Sequence, residues 1–236
     1  MEILNNQKQF RLKMICKDLI FDVDGTLAET EELHREAFNL TFKKLCLNWH
    51  WDKNVYAKLL KVSGGRERLA HYQTLISSTG KTLSKETIIR IHKEKTTIYL
   101  QSLANPKLKL RPGVAQLINQ AKSKNIKLAI ATATSLVNVE PLVAKIWKRP
   151  VKEIFNAVTT SNEVLFQKPS PEIYQLALKK LRIAPEYCIA IEDSLNGLKS
   201  TKGAGLKTII IPSLYSKNDD FSLTEAVLPS FGDIKI

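Results

Sequence analysis

The stretch Leu19-Ile20-Phe21-Asp22-Val23-Asp24-Gly25-Thr26-Leu27 decides how the rest of the chain is interpreted. A short apolar run that ends in two carboxylates and Gly-Thr is typical of a buried strand that stops at a functional site. Open α/β sheets bind their ligands at this carboxyl edge. Side chains two residues apart on a strand point the same way, so Asp22 and Asp24 repel each other unless a cation or a proton lies between them. The stretch therefore predicts a metal site, although Asp-Gly alone would be typical of an ordinary turn.

The full string from Phe21 to Leu27 resembles the nucleophile motif of the haloacid dehalogenase superfamily. The resemblance implies that Asp22 attacks phosphorus and forms an aspartyl-phosphate, a known use of carboxylates as nucleophiles. It also implies that Asp24 is the general acid and base, which protonates the leaving sugar oxygen and later activates water. The cofactor that it implies is Mg²⁺, held by Asp22, the main-chain carbonyl of Asp24 and an acid further along the chain.

Length and composition are compatible with one large globular domain or two small ones, because the chain has 236 residues and 44% apolar side chains. Cys16, Cys46 and Cys188 are an odd number without CxxC spacing, which argues against a disulfide framework and a zinc site. We expect all three to be buried in a reducing compartment. The sequence shows neither a secretory signal nor an apolar run long enough to span a bilayer, so a cytoplasmic location is predicted. A monomer is also expected.

The formal charge of +13 raises the alternative of a nucleic-acid-binding protein. However, the lysines and arginines are spread along the whole chain without interleaved aromatic residues, and Asp and Glu still number 23. This pattern is more typical of a solvated surface. A positive field would also attract an anionic sugar phosphate, and no nucleic-acid or membrane partner is needed to explain the charge.

Residues 33–100 have the pattern of a helical insertion. Leu33, Ala37, Phe38 and Phe42 share one face of an amphipathic helix, and helical signals continue to about Tyr99 without a comparable strand signal. So long a helical stretch between two strands is not an ordinary βα connection. In the resembled superfamily a helical cap follows the first motif. The sequence therefore predicts a four-helix-type cap at 33–100, inserted into a catalytic core formed by 1–32 and 101–236.

The core itself has the pattern of an α/β fold. Apolar runs predict strands at 14–21, 127–132, 155–159, 188–194 and 208–212, and helical spacing predicts helices at 113–124 and 172–182. Such alternation is typical of a parallel sheet covered on both faces. The fold expected is a haloacid dehalogenase-like Rossmannoid core, and the tail from residue 213 receives no predicted role.

Three further motifs follow these strands. Thr132 closes the second strand and matches the hydroxyl that binds a phosphate oxygen in the family, with Thr134 as a possible substitute. Lys168 matches the lysine that offsets the charges of nucleophile and phosphate, and Asp193 and Glu192 match the acids that complete an oxygen-only Mg²⁺ site. Without the resemblance, these residues would be interpreted as helix caps and surface charges.

The branch of the family is indicated by the cap. The run Asp24–Asn39 resembles the start of CbbY-like and β-phosphoglucomutase-like members, in which the histidine matched by His34 couples substrate binding to Asp24. The stretch 63–68 resembles the substrate-specificity loop, which implies that Gly64 and Gly65 let the backbone approach a ligand and that Arg66 binds the distal phosphate. Lys93 is a further candidate contact. A packing histidine and a helix–helix turn with solvated charges are the alternatives.

The sequence thus predicts a Mg²⁺-dependent phosphatase of phosphorylated sugars, with a CbbY-like sugar bisphosphatase acting on xylulose 1,5-bisphosphate as the first interpretation. A β-phosphoglucomutase-like sugar phosphomutase is the alternative, because both reactions share the aspartyl-phosphate step. A non-catalytic nucleic-acid binder is the third, and the presence of every catalytic position argues against it.

Overall fold

The computed structural model describes residues 17–77, 82–106 and 108–236, together with the main chain of 10–11. The strands within these ranges are β1 (Phe10–Arg11), β2 (Asp18–Phe21), β3 (Lys127–Ala131), β4 (Ala157–Thr159), β5 (Cys188–Glu192), β6 (Lys207–Ile210), β7 (Ala226–Val227) and β8 (Ile234–Lys235). Six of them form one parallel sheet in the order β4-β3-β2-β5-β6-β7, and β1 pairs with β8 in a separate two-stranded sheet.

Helices fill most of the rest of the described chain. They are α1 (Glu31–Lys44), α2 (Lys53–Leu59), α3 (Gly65–Ile76), α4 (Lys85–Ser102), α5 (Val114–Ser123), α6 (Leu136–Trp147), α7 (Val151–Ile154), α8 (Glu172–Leu181) and α9 (Leu195–Gly203). Side-chain hydrogen bonds to main-chain amides cap the N-termini of several of these helices. The side chain of Asp52 accepts a hydrogen bond from the Val55 amide at the start of α2, and Ser84 does the same for Thr87 in α4.

Strand β2 lies in the middle of the large sheet. Its residues pair with β3 on one side and β5 on the other, so that Phe21 stands beside both Ile130 and Ile191. Its side chains alternate between the two faces: Leu19 and Phe21 pack with helices α5 and α6, whereas Ile20 packs with α8. Both faces of β2 are therefore buried, which explains its continuous apolar sequence.

The four helices between β2 and β3 have a hydrophobic core of their own. Helix α1 packs along α4, and the cluster that they share with α2 and α3 is rich in aromatic side chains. Phe38, Phe42 and Tyr56 surround the fully buried ring of Trp51, with ring centroids 4.5–5.9 Å from its own. We call these four helices and their connections the helical cap. The division of domains at residues 33 and 100 stays a prediction.

The predicted α/β fold with a parallel sheet is confirmed. Strands β2 to β6 lie within or overlap the predicted ranges, while residues 14–16 of the first predicted strand lie outside the described residues. The sequence missed β1, β7 and β8, of which β7 adds the sixth strand to the large sheet. A two-residue strand has no periodicity that could reveal it.

One expectation about the cysteines is wrong. Cys188 is buried in β5, as predicted, but Cys46 is exposed because it lies in the turn that ends α1, with φ 53°. Cys16 lies outside the described residues. None of the helices that the structure describes is both long and apolar enough to cross a membrane.

Candidate active site

Three buried acids meet at the carboxyl edge of the sheet. Asp22 follows β2, Glu192 ends β5 and Asp193 comes next, and β2 and β5 are paired neighbours. One carboxylate oxygen from each lies within 4.8 Å of the other two, and the residues are 6%, 0% and 5% exposed. An all-oxygen donor set of this kind fits a hard cation such as Mg²⁺.

The side chain of Lys168 joins two of these acids. Its ammonium lies 2.7 Å from Oδ1 of Asp22 and 2.6 Å from Oε1 of Glu192, and it also donates to the carbonyl of Ala131 at 3.0 Å. The hydroxyl of Tyr174 donates to the same oxygen of Glu192 at 2.7 Å. Glu192 therefore binds Lys168 without lining the cavity described below, whereas Asp22 and Asp193 do line it.

Electrostatics favour a further cation at this place. Burial opposes the charge of Lys168, but Asp22 and Glu192 outweigh that effect and raise the pKa of the ammonium. Burial, with Glu192 and Asp193 nearby, raises the pKa of Asp22 despite Lys168. Burial and Glu192 likewise raise the pKa of Asp193, to about 7. One ammonium does not neutralise three buried acids, so their donor set and charge both fit a divalent metal ion.

Asp24 is connected to the cap by a chain of hydrogen bonds. Its Oδ1 accepts from the hydroxyl of Thr30 at 2.5 Å and lies 3.2 Å from Nε2 of His34. Nδ1 of His34 is 2.5 Å from the buried ammonium of Lys95, and its ring stacks on Tyr99 at 3.9 Å. Since Lys95 donates to Nδ1, His34 presents an N–H to Asp24.

This chain sets the protonation states. Burial and Lys95 lower the pKa of His34 to about 4, which keeps the imidazole neutral at pH 7. Burial lowers the pKa of Lys95 to about 7, although Asp24 opposes the change. Burial alone would raise the pKa of Asp24, but His34 and Thr30 outweigh it, so the net pKa is lowered. Asp24 therefore rests as a carboxylate.

The loop after Asp24 must approach Asp193 closely. Gly25 has φ +83°, and a Cβ atom built on it would lie 2.4 Å from Oδ2 of Asp193. The guanidinium of Arg111 donates to the carbonyl of Gly25, and also to those of Ile211 and Pro212 at 2.8 Å. Arg111 thus ties the loop after β2 to the segment after β6. Glycine at position 25 is required by both the backbone conformation and the space.

Thr132 and Thr134 offer hydroxyl protons to a ligand. Thr132 Oγ1 accepts from the main-chain amide of Thr134 at 3.2 Å, and Thr134 Oγ1 accepts from the side-chain amide of Asn138 at 2.8 Å. In each hydroxyl an acceptor position is used, which leaves the O–H free to donate. Two such donors next to Lys168 suit a bound anion.

The predicted cap loop lines the same cavity as Asp22 and Asp193. Gly64 has φ +90°, and a Cβ atom on Gly65 would lie 2.5 Å from Nε2 of His92. Arg66 and Lys93 are exposed side chains on the cavity wall. Burial and the nearby charges of Lys95 and Arg66 lower the pKa of His92 to about 3, so this imidazole is neutral.

One cavity of about 940 Å³ brings nearly all the predicted residues together. The predicted residues that line it are Asp22, Asp24, His34, Gly64, Gly65, Arg66, Lys93, Thr132, Thr134, Lys168 and Asp193. Glu192 does not line the cavity, and its Oε1 accepts hydrogen bonds from Lys168 and Tyr174. The cavity lies between the sheet edge and the cap and is large enough for a drug-sized ligand.

Two buried charged residues of the cavity wall, Glu31 and Lys95, were not singled out by the sequence analysis. Glu31 is 8% exposed, and burial together with Asp193 and Asp24 raises its pKa well above the usual range. Glu31 is the first residue of α1, and acidic residues are common in the first turn of a helix, so the sequence did not mark it as part of the site. Lys95 could have been found, because it continues the buried series Ile88, Ile91 and Tyr99 at helical spacing.

Comparisons with known proteins identify the family of the chain. The family model of haloacid dehalogenase-like hydrolases matches residues 19–211. Protein CbbY of Cereibacter sphaeroides is 45% identical over 216 residues, which cover 92% of this chain and 93% of that protein.

Two solved structures are similar over the same share of the chain. The crystal structure of CbbY from Rhodobacter sphaeroides in complex with phosphate has a TM-score of 0.86 at 45% identity, covering 92% of this chain and 95% of that one. A mutant of CbbY from that organism in complex with xylulose-(1,5)bisphosphate has a TM-score of 0.87 at 44% identity, with the same coverage.

Proposed function

The chain belongs to the haloacid dehalogenase-like hydrolases and hydrolyses phosphoric monoesters, and from this premise we propose that it is a Mg²⁺-dependent phosphatase of sugar bisphosphates. The observation that carries the proposal is the position of Asp22. Its carboxylate faces the cavity, is held by Lys168 at 2.7 Å and lies beside Asp193. A nucleophile, a cation and a metal-binding acid thus converge on one point.

Asp22, Asp193 and the main-chain carbonyl of Asp24 would hold the Mg²⁺ ion. When bound, the ion supplies positive charge that offsets the repulsion between a phosphate and these acids. Lys168 contributes a second positive charge on the other side of Asp22. Both are needed because a phosphate dianion would otherwise meet a negatively charged nucleophile.

Asp22 attacks phosphorus in the first step, and the bond from phosphorus to the sugar oxygen breaks. The hydroxyls of Thr132 and Thr134 and the ammonium of Lys168 orient the phosphate for this attack. Asp24 gives its proton to the leaving sugar oxygen. In the second step Asp24, again a carboxylate, takes a proton from the water that attacks the aspartyl-phosphate.

The two roles of Asp24 require opposite protonation states. The N–H of His34 and the hydroxyl of Thr30 favour the carboxylate, which suits the second step. A bound phosphate adds negative charge next to Asp24 and favours its protonated form, which suits the first. Substrate binding therefore favours the protonated form of Asp24, which can act as an acid. After Asp24 has given this proton to the leaving oxygen, it is a carboxylate and can act as a base.

Basic side chains of the cap are available for a second phosphate on the substrate. Lys61, Arg66 and Lys93 line the same cavity as the acids. A sugar with phosphates at both ends would place one phosphate at Asp22 and the other at these cations. The complex of CbbY with xylulose-(1,5)bisphosphate supports a substrate of this class. Cytoplasmic location and a monomeric state stay predictions.

Removal of divalent metal is expected to lower the rate of phosphate release by at least about 10²-fold. Without the metal ion, the single ammonium of Lys168 does not neutralise the three acids, and they repel the phosphate of the substrate. The measurement is phosphate release from sugar mono- and bisphosphates before and after EDTA, with Mg²⁺ added back. Full activity in excess EDTA would exclude the proposed metal dependence.

Substitution Arg66→Ala is expected to lower kcat/KM for a sugar bisphosphate roughly 10- to 100-fold, the size of a lost hydrogen bond to a charged group. The value for the matching monophosphate should change less than about threefold, since the remote phosphate is absent. Arg90→Ala is the matched control, because Arg90 is an exposed arginine of the cap that does not line the cavity. Equal losses on both substrates would contradict the assignment of Arg66.

A sugar phosphomutase is the second candidate, because the 3.2 Å contact of His34 with Asp24 matches the feature expected of the mutase branch. The same assay distinguishes the two reactions. Conversion of a hexose 1-phosphate to its 6-phosphate without phosphate release would establish the mutase. Release of phosphate from xylulose 1,5-bisphosphate in preference to monophosphates would establish the phosphatase.

A further inference from the structure

Residues 213–216, here called the serine loop, support Asp193 from the side of β6. The amide of Ser213 donates to the hydroxyl oxygen of Ser216 at 2.8 Å, and the two hydroxyl oxygens are 3.0 Å apart. The hydroxyl of Ser216 in turn donates to Oδ2 of Asp193 at 3.4 Å. Both serines are buried, at 1% and 4% exposure. The serine loop thus helps to orient the carboxylate of Asp193, through the hydroxyl of Ser216.

The tyrosine between these serines contacts the cap. The hydroxyl of Tyr215 donates to Oε1 of Glu32 in helix α1, and its ring meets the edge of Tyr56 in α2 with centroids 5.6 Å apart. Both partners are fixed on the cap side: Glu32 is paired with Arg35 at 2.8 Å, and the hydroxyl of Tyr56 accepts from Arg68 at 3.3 Å.

A second contact begins on the other side of Asp193. The side-chain amide of Asn196, in the first turn of α9, donates to the main-chain carbonyl of Lys61 at 2.9 Å. Arg68 holds the same connection of the cap, because it donates to the carbonyls of Leu59 and Val62. The cap is therefore held by two core segments, and each of them is attached to Asp193 or follows it within three residues.

We propose that Tyr215 is a positioning residue that couples the placement of helices α1 and α2 to the carboxylate of Asp193. The serine loop is short and its serines are buried, so a shift of Tyr215 with the cap moves Ser216 as well. Coupling of this kind needs a continuous series of contacts with defined partners, and the series Glu32, Tyr215, Ser216, Asp193 supplies it.

The first test uses hydrogen exchange of the metal-free protein and does not depend on the proposed function. Tyr215→Ala should speed exchange in helix α2 and residues 60–64 by about two- to tenfold, the range expected for one or two lost contacts. Glu32→Ala, a change in the cap, should speed exchange at 213–219 and 193–197 by a similar factor. Helix α5, on the far side of the sheet, should be unchanged.

Two control variants are available on the same chain. Tyr187→Ala removes a partly exposed tyrosine at the start of β5, and Glu94→Ala removes an acid of the cap that pairs with Lys44. Neither should change exchange in these segments. The proposal is overturned if the controls act as strongly as Tyr215→Ala, or if Glu32→Ala leaves 193–197 unchanged.

The second test measures Mg²⁺ binding by calorimetry and rests on the proposed function. Tyr215→Phe, which keeps the ring, and Glu32→Ala should each weaken Mg²⁺ binding by about two- to tenfold, and the double variant should be no weaker than the stronger single one. Additive losses would mean that the two residues act separately and would refute the coupling. A wild-type chain that binds no Mg²⁺ would refute the proposed metal, while the exchange test would still decide the role of Tyr215.

Discussion

Asp22→Asn is expected to lower kcat for phosphate release by at least about 10⁴-fold, because a neutral amide oxygen is a poor nucleophile at phosphorus. The loss should not come from unfolding. Asp22 is one of three buried acids that share the ammonium of Lys168, and Glu192 still pairs with Lys168 in the variant. Removal of one negative charge from this group reduces repulsion, so the metal-free variant should melt at the same temperature as the wild type or higher.

The measurement combines phosphate release with acid-quench trapping of the phosphoenzyme. Asp24→Asn is the matched variant, since it also converts an acid of this loop into an amide. It should slow turnover roughly 10²–10⁴-fold, the usual contribution of a general acid–base, and should still form phosphoenzyme. Equal amounts of trapped phosphoenzyme in the two variants would show that Asp22 is not the nucleophile.

Lys168→Met is expected to have the largest effect on stability. Lys168 is 5% exposed, and its ammonium is held by Asp22, Glu192 and the carbonyl of Ala131. Without it Asp22 and Glu192 lose the buried ammonium that pairs with them, and breaking such a pair costs about 3–5 kcal/mol of unfolding free energy. Catalysis should fall by about 10³-fold in kcat/KM, because phosphate would then meet uncompensated acids.

The stability loss in Lys168→Met should depend on pH in a defined direction. Burial raises the pKa of Asp22 and Asp193 in the folded chain above the unfolded values, so the folded state binds more protons between these pKa values. Stability contributed by these acids is therefore lost as pH rises. Denaturant unfolding of the metal-free variant should show a larger loss at pH 8 than at pH 5.

Lys180→Met is the control for this substitution. Lys180 also pairs with an acid, Glu163, at 2.5 Å, but its side chain is 33% exposed. A surface pair of this kind contributes about 0–1 kcal/mol. Similar losses in both lysine variants at pH 8 would contradict the view that Lys168 neutralises buried acids.

The sequence predicted the core of the site because its residues directly follow strands. Asp22, Thr132 and Asp193 each come one residue after a strand in the parallel sheet, so chain order was sufficient to bring them to one edge. Lys168 does not follow a strand, and only the order of motifs identified it.

The cap was harder to predict because the helical phase decides which side chains face the cavity centre. Lys93 and Lys95 are two positions apart, which places them on nearly opposite sides of α4. The sequence analysis selected Lys93, whereas Lys95 is the residue that contacts His34. The choice requires knowledge of the face that α4 turns toward α1, and the apolar series through Ile91 and Tyr99 marks that face.

The tail was missed for a different reason. Tyr215 and Ser216 belong to a polar segment without periodicity, and their contacts are made with residues far away along the chain. Contacts of this type depend on the tertiary structure, so the secondary-structure propensity of the segment does not predict them.

The central position of β2 has a consequence for synthesis on the ribosome. The strand that precedes the nucleophile emerges well before its partners β3 and β5, which begin only at Lys127 and Cys188. Until those residues are translated, both edges of an apolar strand lack their sheet neighbours, and exposed edges of this kind promote aggregation. The cap helices, whose contacts are nearer in sequence, can assemble earlier. Residues 18–21 of the nascent chain therefore lack one sheet partner until Cys188 has been translated, and a chaperone that binds short apolar segments would protect them during that interval.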